Sequence, residues 1–429
     1  MMESESATRT TPLERLPAEL IWAILSKLDC LKTLHRAVLS CRLLWRSFSK
    51  DSSRVATSVI LNYLDSYDVR PEALAALQAS SMPELTPSSM QEFYTSHLSK
   101  RHADRGAFLT FAQVAAVARL HSAVSRLADE FPQTYIPKLP TPTGDLCAFE
   151  PLELSPSEKG RVIRALYALE IFFNLFRKTS MSHVEEPEAM NEFLVSFAPW
   201  EIEQIVCAQE FLFLHVSPAF KNPTTHNVPG RRFENRPALW SFYAEVQTRF
   251  FLGLVALESI ARAGTYNQQD DPLYHGRTPP IRRSLLSRAL QHLDFEKALG
   301  DHEKDSVSSF ENAQDYSTKV KPPFFDDPDE GPFTVWKEAH RLNQLRDSVY
   351  QRDHELQGRA YVMWSGHRLD SLGALHNPRQ ILTVPRKAHG ERGVSSWRER
   401  SRRPVQWEDE LVDGWWDPSE ESSTTAQEW

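Results

Sequence analysis

The chain has only four cysteines in 429 residues, Cys30, Cys41, Cys147 and Cys207, with no CxxC pair and no Cys/His cluster. That excludes a disulfide framework and a structural zinc site, and it predicts reduced, buried thiols. Long apolar runs are missing as well: nothing approaches the roughly eighteen consecutive apolar residues of a membrane-spanning helix. The N-terminus carries no charged, apolar, cleavable leader, so the chain is expected in the cytoplasm, the nucleus or both. There is no Walker loop, no GxGxxG after a strand and no GxSxG elbow. In HELQG, residues 354–358, Gly358 stands where an HExxH zinc helix needs its second histidine. The acidic group Asp326, Asp327, Asp329 and Glu330 is interrupted by Pro328 and lacks EF-hand spacing, which predicts a solvated turn. Cys207 and His215 lie two helical turns apart on a face of Phe and Leu, which predicts core packing. No catalytic residue, cofactor or metal is therefore expected. Strand patterns are scarce, the best being Ala360 to Trp364, and no leucine-rich or propeller repeat frame occurs.

Charge is unevenly placed. The net charge is −8, yet residues 408–429 alone carry eight acids and no base, so the remainder is neutral. Just before them, residues 386–403 hold seven bases against Glu391 and Glu399. The basic–aromatic groups, Arg231 and Arg232 beside Phe233 and WRERSRRP at 397–404, are small, and a neutral body offers no footprint for nucleic acid or a membrane surface.

The periodicity predicts an all-α protein. Val55, Val59, Ile60, Tyr63 and Leu64 share one helix face; Pro71 opens another helix, Ser88 can cap a third, and Thr110 a fourth. Six prolines between Asp129 and Pro156 predict an extended loop anchored by Tyr135, Ile136, Leu146 and Phe149. Ser155, Pro156 and Glu158 form a capping box ahead of a helix apolar on all sides. Further helices are expected near 187–197, 200–215, 237–262, 281–298 and 334–352, with long loops at 217–236, 264–280 and 299–333. The organisation read from this is a disordered leader at 1–11, a three-helix module at 12–50, an irregular helical body with Pro-rich loops at 51–380, and a largely disordered tail at 381–429. In the tail, Trp407, Trp415, Trp416 and Trp429 stand among acids, a pattern suited to docking on the body or on a partner.

Residues 13–48, LERLPAELIWAILSKLDCLKTLHRAVLSCRLLWRSF, hold more apolar surface than three short helices can bury among themselves. Leu16, Leu20, Ile21, Ile24, Leu25 and Leu28 recur at helical spacing behind Pro17, and the pattern restarts at Leu31, Leu34 and Val38, then at Leu43, Leu44, Trp45 and Phe48. A helical hairpin docked on its own domain is one reading. Taken to Lys50, the polar faces carry seven bases (Arg15, Lys27, Lys32, Arg36, Arg42, Arg46 and Lys50) against three acids (Glu14, Glu19 and Asp29), a balance that suits an acidic partner. Trp45 and Phe48 are expected to pack within the module and against the 55–64 helix.

This stretch resembles the F-box, the helical module that ties a protein to the Skp adaptor of Skp–cullin–F-box ubiquitin ligases. Leu16, Pro17, Glu19, Leu20, Ile24, Leu25 and Leu28 fall on its LPxEL and ILxxL positions. Leu34, Val38, Ser40, Cys41 and Trp45 match the second half as fungal members carry it. The chain departs where many F-boxes place Pro after the Asp closing the first helix, since Cys30 and Leu31 stand there. The resemblance implies a non-enzymatic substrate receptor. It would bind the adaptor, and through it a cullin, with Leu16, Pro17, Leu20, Ile21, Ile24, Leu25, Leu28, Leu34, Val38 and Trp45, and an unknown client with the helical body. The alternative is a non-catalytic scaffold that binds the adaptor outside a ligase.

Overall fold

A computed structural model of the chain describes residues 15–98, 108–136, 153–177, 185–220, 246, 249–263, 310–341 and 354–382. Of these, 78% are helical and none lies in a strand, so the protein is all-α. No helix among them is long and apolar enough to cross a membrane. The chain divides into two compact units. The described part of the first is residues 15–70 and 108–119; the second takes 71–98, 120–136 and the described residues from 153 onward. The leader at 1–11, the predicted helix at 281–298, Leu146, Phe149 and the tail from 383 lie outside the described residues.

In the first unit, helices α1 (Ala18–Leu25), α2 (Leu31–Ser40), α3 (Arg42–Lys50) and α4 (Ser52–Asp65) follow one another with almost no loop. Helices this short are marginal alone, so shared burial holds them. Ile21, Leu25, Leu34, Val38 and Phe48 close over Val55, Val59, Ile60 and Leu64 of α4, all of them buried. Three polar ties fix the angles. The Trp22 indole donates to the Ser47 carbonyl at 2.7 Å, Asn62 donates to the Ser26 carbonyl at 2.8 Å, and Thr57 both donates to and accepts from the Leu109 backbone, at 3.1 and 3.2 Å. Phe48 is buried, and its ring meets edge-on that of Phe111, outside both the module and the 55–64 helix, at 6.5 Å between centroids, whereas Trp45 does not pack inward.

The second unit begins with α5 (Arg70–Ser81) after its first residue, followed by α6 (Pro87–Phe93). The cap of α6 is Thr86, not Ser88: its hydroxyl accepts from the Ser89 amide while the Ser89 hydroxyl accepts from the Thr86 amide. Thr110 and Gln113 form the corresponding box for α7 (Phe111–Tyr135), whose residues to Arg119 belong to the first unit and the rest to the second. This helix runs through Pro132, so residues 129–135 of the expected loop are helical, and 137–152 lie outside the described residues. Proline removes one amide donor, a loss tolerated here because Phe131 and Tyr135 on either side are fully buried.

The centre is the pair α8 (Pro156–Arg177) and α10 (Pro199–Phe220), with α9 (Glu185–Val195) between them in sequence. α8 is buried on nearly every side, as its all-round apolar pattern predicts. Phe172, Phe176, Phe193 and Phe197 pack ring against ring, and Trp200 meets Tyr316, Phe333 and Trp336. Of the helix predicted at 237–262, residues 237–245, 247 and 248 lie outside the described residues; the rest is interrupted at Gly253, which stands at φ +88 between a 3-10 turn, Phe250–Leu252, and α11 (Leu254–Ala263). At the interruption the buried Glu170 carboxylate accepts from the Leu254 amide at 2.7 Å.

After α12 (Ala313–Lys319) comes the segment predicted to be a solvated acidic turn, and the structure corrects this. Arg161, with no exposed surface, donates to Asp327 at 2.6 and 3.1 Å, to Asp329 at 2.8 Å and to the Met363 carbonyl at 3.2 Å. Burial works against the cation, but these carboxylates outweigh it and hold the guanidinium above its ordinary pKa. Asp329 also accepts from the amides of Gly331, at the start of α13 (Gly331–Arg341), and Gly366, at the start of α15 (Gly366–Ser371); the short α14 (His354–Gln357) lies between. Residues 360–364 are not a strand. They form a 3-10 turn whose Met363 and Val362 carbonyls are taken by Arg161 and Gln204, so no sheet partner is needed.

Two predictions follow from this core. A Cβ on Gly331 would lie 2.3 Å from the Gly366 nitrogen, so Gly331→Ala should cost about 3 kcal/mol by forcing backbone apart. Gly373→Ala, at φ +65 with open space around it, should cost only about 1 kcal/mol. Thermal unfolding of the two variants distinguishes them, and equal losses would refute the contact.

The second prediction concerns acid. Burial lowers both His121, hydrogen-bonded to the Tyr167 hydroxyl at 2.9 Å, and His215 from 6.5 to about 4. Protonation therefore favours the unfolded chain: stability is whole above about pH 6.5 and drains as pH falls toward 4, by up to about 3 kcal/mol per histidine. His121→Gln should flatten the slope of unfolding free energy against pH in that window by about one proton, whatever its absolute stability.

Candidate interaction surface

The large apolar side chains left exposed among the described residues are Leu20, Ile24, Leu39, Trp45, Phe108 and Leu214. All but Leu214 belong to the first unit. Helix α1 shows how they arise. Ile21 and Leu25 are spent on the core, whereas Leu20 and Ile24, one helical turn apart, share a neighbouring face and are each 50% exposed. The same register that buries one pair presents the other.

Helix α3 adds the second element. Arg42, Trp45, Arg46, Ser49 and Lys50 recur at the spacing of one helix face, and all are exposed. Trp45 is 48% exposed, the reverse of the inward packing expected for it. Its neighbour Phe48 fills the inward position, and the indole that bridges the helices is that of Trp22, which the sequence did not single out. Between α1 and α3 opens a groove of about 390 Å³ lined by Leu16, Ala18, Ile21, Leu43, Trp45 and Arg46, with Ser47, Ser49 and Lys50 completing it. Arg46 and Lys50 form no ion pair among the described residues. The result is an apolar trough with a basic edge, suited to an apolar segment carrying negative charge.

The residues expected to meet a partner thus separate into two groups. Ile21, Leu25, Leu34 and Val38 are buried and position the helices; Pro17, Leu20, Ile24 and Trp45 are exposed; Leu16 and Leu28 are partly covered. Arg46 and Lys50 are two of the seven bases expected to suit an acidic partner, whereas Leu43, which also lines the groove, was not anticipated as part of this surface. Trp407, Trp415 and Trp416 lie outside the described residues. Cys207 is buried, and burial pushes its thiol well above its ordinary pKa, while Cys30 and Cys41 are only partly covered; all three are free. No group of His, Cys, Asp or Glu among the described residues is placed to hold a metal ion.

Compared with family models, curated proteins and solved structures, the chain matches none.

The separation is measurable. Ile21→Ala and Leu25→Ala should each cost about 2–4 kcal/mol through lost burial and a residual cavity. Leu20→Ala and Ile24→Ala should stay within roughly 0.5 kcal/mol of the parent, as expected of surface substitutions. Denaturant midpoints followed by circular dichroism test this, and a large loss at Leu20 would show that its face is covered.

Proposed function

We propose that this chain is a substrate-receptor subunit of a Skp–cullin–F-box type ubiquitin ligase. The observation that carries the reading is the exposed Leu20–Ile24 pair with Trp45, on short helices whose sequence bears the LPxEL, ILxxL and SCxLxW likeness. Large apolar side chains that their own fold leaves half uncovered, clustered on one unit beside a basic edge, suit a protein-binding surface. The adaptor covers this surface; the second unit carries the client. The chain acts by proximity, holding the client near a ubiquitin-charged enzyme and raising its effective concentration, with the chemistry done by that enzyme.

Leu20→Asp with Ile24→Asp tests this in the full chain, because a charge forced into a desolvated apolar contact costs several kcal/mol while the exposed positions leave the fold intact. Capture of purified Skp-family adaptor should fall by at least about a hundredfold, with unchanged helicity and melting temperature. Undiminished capture by the folded variant would sink the reading. Parent chain expressed in cells should also bring down a cullin. Adaptor without cullin would point instead to a scaffold outside the ligase.

A further inference from the structure

The basic trough on the first unit has a complementary segment on its own chain. We infer that the C-terminal segment around Trp415 and Trp416 occupies the groove between α1 and α3 and must be displaced before a partner binds there. The inference rests on the adaptor reading only for the identity of the displacing partner.

Three observations lead to it. The groove is apolar within, being lined by Leu16, Ala18, Ile21, Leu43 and Trp45, and at about 390 Å³ it has the size of a pocket that takes a bulky aromatic group. Its edge is cationic, formed by Arg46 and Lys50, with Arg42 on the same exposed face of α3. The segment supplies the opposite of each. Trp415 and Trp416 sit between Asp413 and Asp417, within a stretch from 408 to 429 that has eight acids and no base. The 324–333 run also pairs aromatics with acids, but its Asp327 and Asp329 are already engaged by the Arg161 guanidinium. The run at 386–403 is basic and is repelled by the edge.

A second copy of the chain is the weaker occupant on charge alone. It would bring the same Arg42, Arg46 and Lys50 face to face with themselves, and like charges so placed are unfavourable. The segment has a further advantage as part of the same molecule, since a tethered ligand competes at an effective concentration on the order of millimolar. Indole burial supplies most of the affinity and the charges select the partner, because exposed opposite charges are screened by salt whereas the apolar contact is not.

The contact is self-limiting in a defined way. Occupying the groove about nine-tenths of the time lowers the apparent affinity of a competing partner about tenfold. The face of Leu20 and Ile24 stays available to begin an encounter while the groove is filled.

The test compares the full chain with its Trp415→Ser, Trp416→Ser double variant by hydrogen–deuterium exchange and by titration with purified Skp-family adaptor. Exchange at residues 16–25 and 42–50 should rise in the variant, and adaptor should bind it about tenfold more tightly. An Asp413→Asn, Asp417→Asn variant should move both readouts the same way but less, and raised salt should narrow that difference. Unchanged exchange at both segments would overturn the inference and leave the adaptor reading standing. Protection that fades on dilution would also overturn it, assigning the groove to a second copy. If adaptor binds neither chain, the proposed function fails, and the exchange data still decide whether the segment covers the groove.

Discussion

A guanidinium with no exposed surface has to be neutralised where it lies, and Arg161 imposes that demand on the whole second unit. It sits in the first turns of α8, the helix most completely buried. Two carboxylates and a carbonyl meet it, from segments far along the chain: Asp327, Asp329 and the Met363 backbone. Leaving such a charge unpaired costs far more than any single apolar contact returns, so these segments have little choice of place. Three residues before Arg161, Glu158 applies the same logic with the opposite sign. Burial raises its pKa, but the Arg368 guanidinium and the Ser365 and Ser155 amides overcome that and leave it below the ordinary carboxylate value. One turn of one helix thereby fixes both the 327–331 segment and the start of α15.

The principle extends along α8 and α10. Glu170 and Glu201 are carboxylates whose pKa values burial raises, and each collects backbone amides with no helical partner. Glu170 takes that of Leu254; Glu201 takes those of Ala198, Phe324 and Phe325. Glu203 receives a hydrogen bond from the Tyr361 hydroxyl and shares one with His340. Irregular chain in a protein interior has no helix or sheet ladder to pair its amides and carbonyls, and here side chains of the two central helices take up several of them. Two central helices therefore suffice to order loops that have no sheet to join.

That arrangement explains which parts of the fold were legible in the sequence. Helices announce themselves through local periodicity and caps, so Thr110 with Gln113, Ser155 with Glu158, and the apolar stripe of α8 could all be read from neighbours in the chain. The partners of Arg161 could not be, because hydrogen bonds to residues more than a hundred positions away leave no periodic trace. Asp327 and Asp329 read as a solvated turn for this reason, and 360–364 as a strand: both are apolar or acidic runs whose satisfaction comes from elsewhere. Trp45 failed differently. Periodicity places Trp45 and Phe48 on α3 but does not say which of two adjacent faces the core takes, and the indole of Trp22 had already claimed the bridging position to Ser47.

The same ambiguity in α1 bears directly on function. A helix of eight residues carrying Leu20, Ile21, Ile24 and Leu25 has more apolar surface than one core face can use, and the register that buries Ile21 and Leu25 must expose the other two. Exposed Leu and Ile contribute almost nothing to holding such a short helix in place. A protein that covered them would stabilise the helices and gain binding energy in one step, because whatever binds only the folded state adds its binding free energy to the folding equilibrium. The second unit, with its interior charges paired and Leu214 its one exposed large apolar side chain among the described residues, has no such surplus. Coupling of stability to occupancy is therefore a property of the first unit, and it follows from the length and register of α1 before any partner is named.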